Sequence, residues 1–302
     1  MNGSKSKFVV SVVAGTALAL SLVACSGATQ PSQSKQPAAM PSMPAGSTMA
    51  KLQQKGTMLV GTKYAAPLFG EKNPVTGKMQ GFDIEIANEL GKRLFGKAGH
   101  VEFIEAPTST REAMIEQGKV DLIVATYTIT EERKQKVSFA GPYYNAVLDI
   151  VVRADDNSFG KSINGYEALD GRKVCTTQNG TQYNLIAKVA PKAELTGFDD
   201  LGKCLTALKQ GRVDAVASDT GTSFGMLLNN PGDFQEIPNP KSDEQPYGIG
   251  VTKDDSAFCE WINKQLVDMY ANGDWAAAYK RSLGVVSNVI PPAPAADAFS
   301  HC

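Results

Sequence analysis

The segment Gly221-Thr222-Ser223-Phe224-Gly225 fits the pattern Gly-x-Ser-x-Gly and follows a run, Val213 to Ser218, that reads as a strand. Such an arrangement can carry acyl transfer by an activated serine, which requires a base supplied later in the chain. The chain has two histidines, and neither suits: His100 precedes the serine and His301 sits in an irregular tail. A hydrolase is therefore set aside. None of the five cysteines forms a Cys-x-x-Cys pair, and with so few histidines no metal site and no cofactor is expected. Thirty basic residues stand against thirty-one acidic ones, for a net charge of -1, with no long cationic run. A nucleic-acid partner has no electrostatic support in that balance.

The first 25 residues are of a different material. Lys5 and Lys7 precede an apolar run from Phe8 to Leu22 that meets Leu22-Val23-Ala24-Cys25. The run is short for a permanent span, and small residues surround its end, as a secretion signal requires. Leu-Val-Ala-Cys resembles a bacterial lipobox, so Cys25 is the expected lipidation site and 1–24 the signal peptide. Removing those 24 residues, which carry two Lys and no acid, leaves 278 residues and takes the net charge from -1 to -3. Acyl chains on Cys25 would tether the protein to a membrane surface without spanning it. Export favours disulfides among Cys175, Cys204, Cys259 and Cys302. Of the three pairings, Cys175 with Cys204 and Cys259 with Cys302 keep each loop within one continuous stretch of chain; four free buried thiols are the alternative. Each bridge would stabilise by about 3 to 4 kcal/mol in the chain-entropy account.

Hydrophobic residues make up 42% of the chain, which excludes wholesale disorder, and 302 residues allow one large domain or two modest ones. Residues 25–50 are Ser, Pro, Gln, Ala and Met with little charge, and are expected to be a flexible linker. From Met58 onward, β-rich runs (Leu59 to Thr62, Val101 to Ile104, Asp121 to Thr126, Val147 to Val152, Lys173 to Thr176, Val213 to Ser218, Gly248 to Thr252) alternate with helical patterns. Phe82, Ile86, Leu90 and Leu94 share one helical face. The alternation predicts an α/β fold with largely parallel sheets. Gln117-Gly118-Lys119-Val120-Asp121 recurs as Gln210-Gly211-Arg212-Val213-Asp214, which predicts two lobes of similar construction. Gly141-Pro142-Tyr143 and Pro246-Tyr247-Gly248 mark two crossover strands. The expected division is 51–143 with 248–290 for lobe 1, 144–247 for lobe 2 and a tail at 291–302.

Three segments resemble the amino-acid-binding solute-binding proteins of bacterial ABC importers, extracellular solute-binding family 3, polar amino acid group. They are Gly81-Phe82-Asp83-Ile84-Glu85-Ile86 with Leu90-Gly91 and Leu94, then Ala125 to Arg133 running on to Phe139-Ala140-Gly141-Pro142-Tyr143-Tyr144, and Ser218-Asp219-Thr220. The resemblance covers nearly the whole mature chain. It implies a type II periplasmic-binding-protein fold, no enzymatic activity, and an extracytoplasmic lipoprotein that delivers a free polar amino acid, glutamate, aspartate or their amides, to the transmembrane subunit of an ABC permease. A monomer is expected. A sensor with a different membrane partner, and a dehydratase of the same fold, are the alternatives.

A free amino acid has a carboxylate and an ammonium on one carbon, and enclosing both is costly unless each is paired. By the resemblance, Arg133 takes the carboxylate through its planar fork of donors, with main-chain N–H groups of Thr128 and Thr181. Asp219 takes the ammonium, with the Thr128 hydroxyl and the Thr126 carbonyl completing its acceptors. Without the flanking match, Arg133 would read as a solvated charge and Asp219 as a helix N-cap. Lys63 stands where relatives read the ligand side chain, and a cation there implies glutamate or aspartate. Tyr64 is the expected aromatic wall. Thr108 replaces an aromatic residue common in relatives, and Arg111, unfavourable at a helix start, is expected to face the cleft. The Cys175 and Cys204 pair also resembles glutamate-type members.

Overall fold

A computed structural model describes residues 40–287, 289–299 and 302. Cys25, the signal sequence 1–24 and the linker as far as residue 39 lie outside the described residues. The chain enters through α1 (Thr48–Lys55), which starts three residues inside the stretch expected to be linker. The reason is local: the Ser47 hydroxyl caps the helix by accepting the Ala50 N–H, and Met49 and Leu52 supply a buried face.

The first lobe continues with β1 (Met58–Thr62), a small hairpin sheet of β2 (Ala65–Ala66), β3 (Gly70–Lys72) and β4 (Met79–Gln80), then α2 (Phe82–Phe95), β5 (Val101–Glu105), α3 (Arg111–Glu116), β6 (Leu122–Ile123), α4 (Glu131–Lys134) and β7 (Val137–Ala146). The second lobe holds β8 (Leu148–Arg153), β9 (Lys173–Thr177), α5 (Thr181–Val189), β10 (Glu194–Phe198), α6 (Leu201–Lys209), β11 (Ala215–Asp219), α7 (Thr220–Asn229) and β12 (Phe234–Ile237). The chain then returns through β13 (Gln245–Thr252), α8 (Ser256–Asn272) and α9 (Asp274–Ser282). Strand order is β5-β1-β6-β13-β7 in the first lobe and β10-β9-β11-β8-β12 in the second.

Each sheet is mixed rather than largely parallel. β1, β5 and β6 run parallel, as do β9, β10 and β11, but β13 and β8 pair antiparallel with the central strands because they are laid down as the chain crosses between lobes. β7 and β13 pair from Ala146 opposite Gln245 to Val137 opposite Thr252. Tyr144 to Ala146 and Gln245 to Tyr247 thus belong to the first sheet, which shifts the expected lobe boundaries by a few residues. The fold is the two-lobed type II periplasmic-binding-protein fold with two crossover strands.

Helices on both faces bury these strands. Phe82, Ile86, Leu90 and Leu94 face one apolar cluster together with Val60, Tyr143 and Trp275. In the second lobe, Ile150 and Val152 face one cluster while Val151 faces the other, as the alternation of a strand dictates. The repeated Gln-Gly-x-Val-Asp segment does the same work twice. Gly118 and Gly211 take left-handed φ values of 63° and 68° where a helix turns into a strand. Asp121 accepts the N–H of Leu59 at 2.7 Å, and Asp214 accepts that of Lys173 at 2.8 Å.

Disulfides join Cys175 to Cys204 and Cys259 to Cys302. The second fixes the tail to α8, where Asn263 also donates to the carbonyl of Phe299 and accepts the N–H of Gly141 on β7. Among the described residues no helix is long and apolar enough to cross a membrane.

Candidate functional site

The carboxyl ends of the parallel strands in both lobes turn toward one another, and the residues just beyond them line a polar cavity. From the first lobe come Lys63, Arg111, Thr126, Thr128 and Arg133; from the second come Thr181 and Asp219. Every one of these was expected at the site. Thr108, Thr176, Thr177 and Gln182 complete the polar wall.

Arg133 reaches the cavity because Thr130 caps α4 and leaves Arg133 on the buried side of that single turn. Its Nη1 donates to the Thr128 carbonyl at 2.8 Å, and its Nε lies 3.5 Å from Glu112 Oε1. Glu112 also accepts the Tyr127 hydroxyl at 2.8 Å, so one carboxylate sets both side chains. The Tyr127 ring lies 3.8 Å from the Arg111 guanidinium carbon and 5.2 Å from that of Arg133. A ring face attracts cations through its quadrupole, so Tyr127 supports two like charges that would otherwise repel. Burial lowers the Arg133 pKa to about 10, with Arg111 contributing, and it remains a cation at neutral pH.

Arg111 is 2% exposed, donates to the Ala125 carbonyl at 3.1 Å, and has an Nε with no hydrogen-bond partner among the described residues. Burial lowers its pKa as well. Lys63, at the end of β1, feels the same surroundings: burial first and Arg111 next push its pKa down to about 8, while Asp219 and Asp83 oppose that shift.

Asp219 closes β11 and stands at the N-cap position of α7, yet its side chain makes no cap bond. It accepts instead from Gln182 Nε2 at 2.8 Å. Burial raises its pKa, and Lys63 is the largest opposing influence. Gln182 is fixed in turn by the Thr181 hydroxyl at 3.3 Å. Thr181 opens α5 after Gly180, whose position at the N-cap brings no side-chain bond. The first turn of that helix therefore meets the cavity with backbone donors.

Tyr64 is placed otherwise than expected. Its hydroxyl donates to the Phe103 carbonyl at 2.8 Å, which pulls the ring out of the polar cavity and into an adjoining hollow with Glu105, Asp199 and Asp200. Among the expected site residues, Lys63 alone borders both spaces.

The sequence reading missed the supporting groups. Asp83, fully buried, accepts the Thr126 N–H at 2.9 Å and the Tyr143 hydroxyl at 2.6 Å. It stood in view as part of Gly81-Phe82-Asp83, where an acid beside core positions was the available signal. Glu112, Tyr127 and Gln182 gave no such signal, since each acts through a neighbour that only the fold supplies.

A two-lobed fold of this type with a charged, polar cavity between the lobes defines a solute-binding protein. Residues 58–285 match the bacterial extracellular solute-binding proteins, family 3, and the chain belongs to that family. It is 36% identical over 235 residues to the ABC transporter glutamine-binding protein GlnH of Bacillus subtilis, covering 78% of this chain and 84% of that protein. It is 34% identical over 246 residues to the glutamate-binding protein GluB of Corynebacterium efficiens, covering 78% and 82%. An ancestral arginine-binding protein bound to glutamine aligns with a TM-score of 0.69 at 36% identity, covering 76% of this chain and 98% of that one. These relatives are amino-acid-binding proteins, and the chain groups with the amino-acid-binding components of ABC transporters.

Proposed function

We propose that the protein captures a free dicarboxylic amino acid, glutamate or aspartate, with their amides as weaker ligands, and delivers it to an ABC permease while anchored to the membrane through Cys25. The observation that carries this reading is the charge of the cavity wall. Three cationic side chains, Lys63, Arg111 and Arg133, face one carboxylate, Asp219. A dicarboxylic amino acid has the complementary set, two carboxylates and one ammonium, and an enclosed charge must be paired.

The roles follow from the donors present. Arg133 takes the α-carboxylate with the N–H groups of Thr128 and Thr181, and Asp219 takes the ammonium with the Thr128 hydroxyl and Thr126 carbonyl. Arg111 and Lys63 take the side-chain carboxylate. Because the charges come from different lobes, the ligand favours the arrangement in which the lobes meet. The signal-like sequence with Leu22-Val23-Ala24-Cys25 supports export and anchoring.

Calorimetric titration of ligand-stripped protein with Glu, Asp, Gln, Asn and Arg tests the reading. Glu or Asp should bind tightest, with the amides about 10- to 100-fold weaker, as expected when a buried cation loses its partner. Lys63→Ala should narrow that gap. Binding of Arg alone, or a gap untouched by Lys63→Ala, would reject the acidic assignment.

A further inference from the structure

Thr126 contributes to the cavity from an unusual backbone conformation. Its φ is 45°, in the left-handed region that a β-branched residue rarely occupies. Such a conformation persists only where the surroundings hold it, and here the holding group is visible. Asp83, in the first turn of α2, accepts the Thr126 N–H at 2.9 Å with one oxygen and the Tyr143 hydroxyl at 2.6 Å with the other. Asp83 does not line the cavity itself.

Tyr143 is fixed at its other end as well. It lies on the crossover strand β7, and its carbonyl accepts from Trp275 Nε1 at 2.9 Å and from the Tyr270 hydroxyl at 3.1 Å. The Thr126 hydroxyl, buried and lining the cavity, has no partner among the described residues. Thus one end of a fully buried chain of groups is the crossover strand, and the other is a residue with unused polar capacity at the site.

We infer that Asp83 is a positioning residue for the ammonium end of the site: by holding the Thr126 N–H it fixes the left-handed conformation of that residue, so that the Thr126 carbonyl is presented to the ligand, and it ties Thr126 through Tyr143 to the crossover strand. The inference rests on the amino-acid-binding reading above. An ionised acceptor makes the stronger bond. Burial raises the Asp83 pKa to about 6, opposed by Tyr143 and Lys63, which leaves the group charged at neutral pH.

Glutamate and glutarate have the same two carboxylates and differ in the α-ammonium, so the ratio of their dissociation constants isolates the ammonium contacts. The ratio, taken as the glutarate Kd over the glutamate Kd, should fall about tenfold or more in Asp83→Ala, with glutarate affinity nearly retained. Asp83→Asn, which keeps an acceptor toward Thr126, should stay within about threefold of the wild-type ratio, and Tyr143→Phe should fall in between. Equal weakening of both ligands in Asp83→Ala, or no change in either, overturns the inference. If Asp83→Ala does not fold, a wild-type ratio in Tyr143→Phe does the same. Should the wild-type protein bind glutamine and not glutamate, glutamine and its deaminated counterpart, glutaramate, replace the pair. A wild-type protein that binds no member of the amino-acid panel overturns the ligand reading itself.

Discussion

The two lobes share a frame and differ in what they hang on it. Five positions after Asp121 stands Thr126, and five positions after Asp214 stands Asp219. Both residues line the cavity, so equivalent points of the repeated segment meet across the cleft. In the first lobe the backbone there swings into the left-handed region and continues to Thr128 and Arg133; in the second it enters α7 directly and leaves a carboxylate. All three cations come from the first lobe, and the one anion comes from the second. The scaffold needs the same turn, cap and strand entry in both copies. The proposed ligand, a zwitterion with an acidic side chain, would need opposite charges on its two sides, and the cavity residues differ between the lobes while the frame does not.

The largest effects should come from removing the opposed charges. Arg133→Ala and Asp219→Ala should each weaken glutamate binding by about 100-fold or more, the loss expected when one partner of a buried charge pair is truncated. Calorimetry reads this directly. If either variant binds within about threefold of wild type, the lobes do not divide the ligand as the comparison states.

Much of this division can be read in the sequence, for physical reasons. The helical stripe Phe82, Ile86, Leu90 and Leu94 and the paired Gln-Gly-x-Val-Asp segments are local patterns, and local patterns fix strands, helices and caps. Seven of the eight expected ligand residues line the cavity because they sit at strand ends or helix starts, where an α/β fold collects its polar groups. Tyr64 does not, because its hydroxyl finds the Phe103 carbonyl on the neighbouring strand β5, a contact made by sheet order. β7 has the same lesson: its long run through Gly141-Pro142 is stabilised by pairing with β13, a strand about a hundred residues away. The start of α1 went unread for a smaller cause, the Ser47 cap lying in a Ser- and Pro-rich stretch.

The comparison sharpens with pH. Lys63 is lowered to about 8 in the free protein, chiefly by burial. A bound side-chain carboxylate favours the protonated form, so the complex holds a proton that the free protein has lost above that value. Glutamate affinity should therefore fall as pH rises from 7 to 9, approaching tenfold per unit at the upper end, and lie level near pH 7, above the range in which Asp83 takes up its proton. Glutamine, with the same α-groups, should show a distinctly shallower slope. Parallel slopes for the two ligands would place Lys63 outside the side-chain pocket and leave Arg111 as its cation.

The smallest effects concern the Gly-x-Ser-x-Gly segment, which the structure gives to the contact between lobes. An added Cβ at Gly225 on α7 would lie 2.7 Å from Pro67 Cβ and 3.1 Å from the Pro67 carbonyl carbon, both in the first lobe. Gly225→Ala should push the lobes apart and weaken ligand binding several-fold, because the ligand needs both at once. Ser223 lies two residues earlier in the same helix, with a buried hydroxyl that has no partner among the described residues. Ser223→Ala removes that hydroxyl at little cost, since a buried polar group without a partner stabilises nothing. Its affinity should stay within about twofold of wild type, with thermal stability unchanged or slightly higher. A Ser223→Ala variant that loses binding while Gly225→Ala keeps it would reverse the assignment, making the hydroxyl functional and the close approach of the lobes incidental.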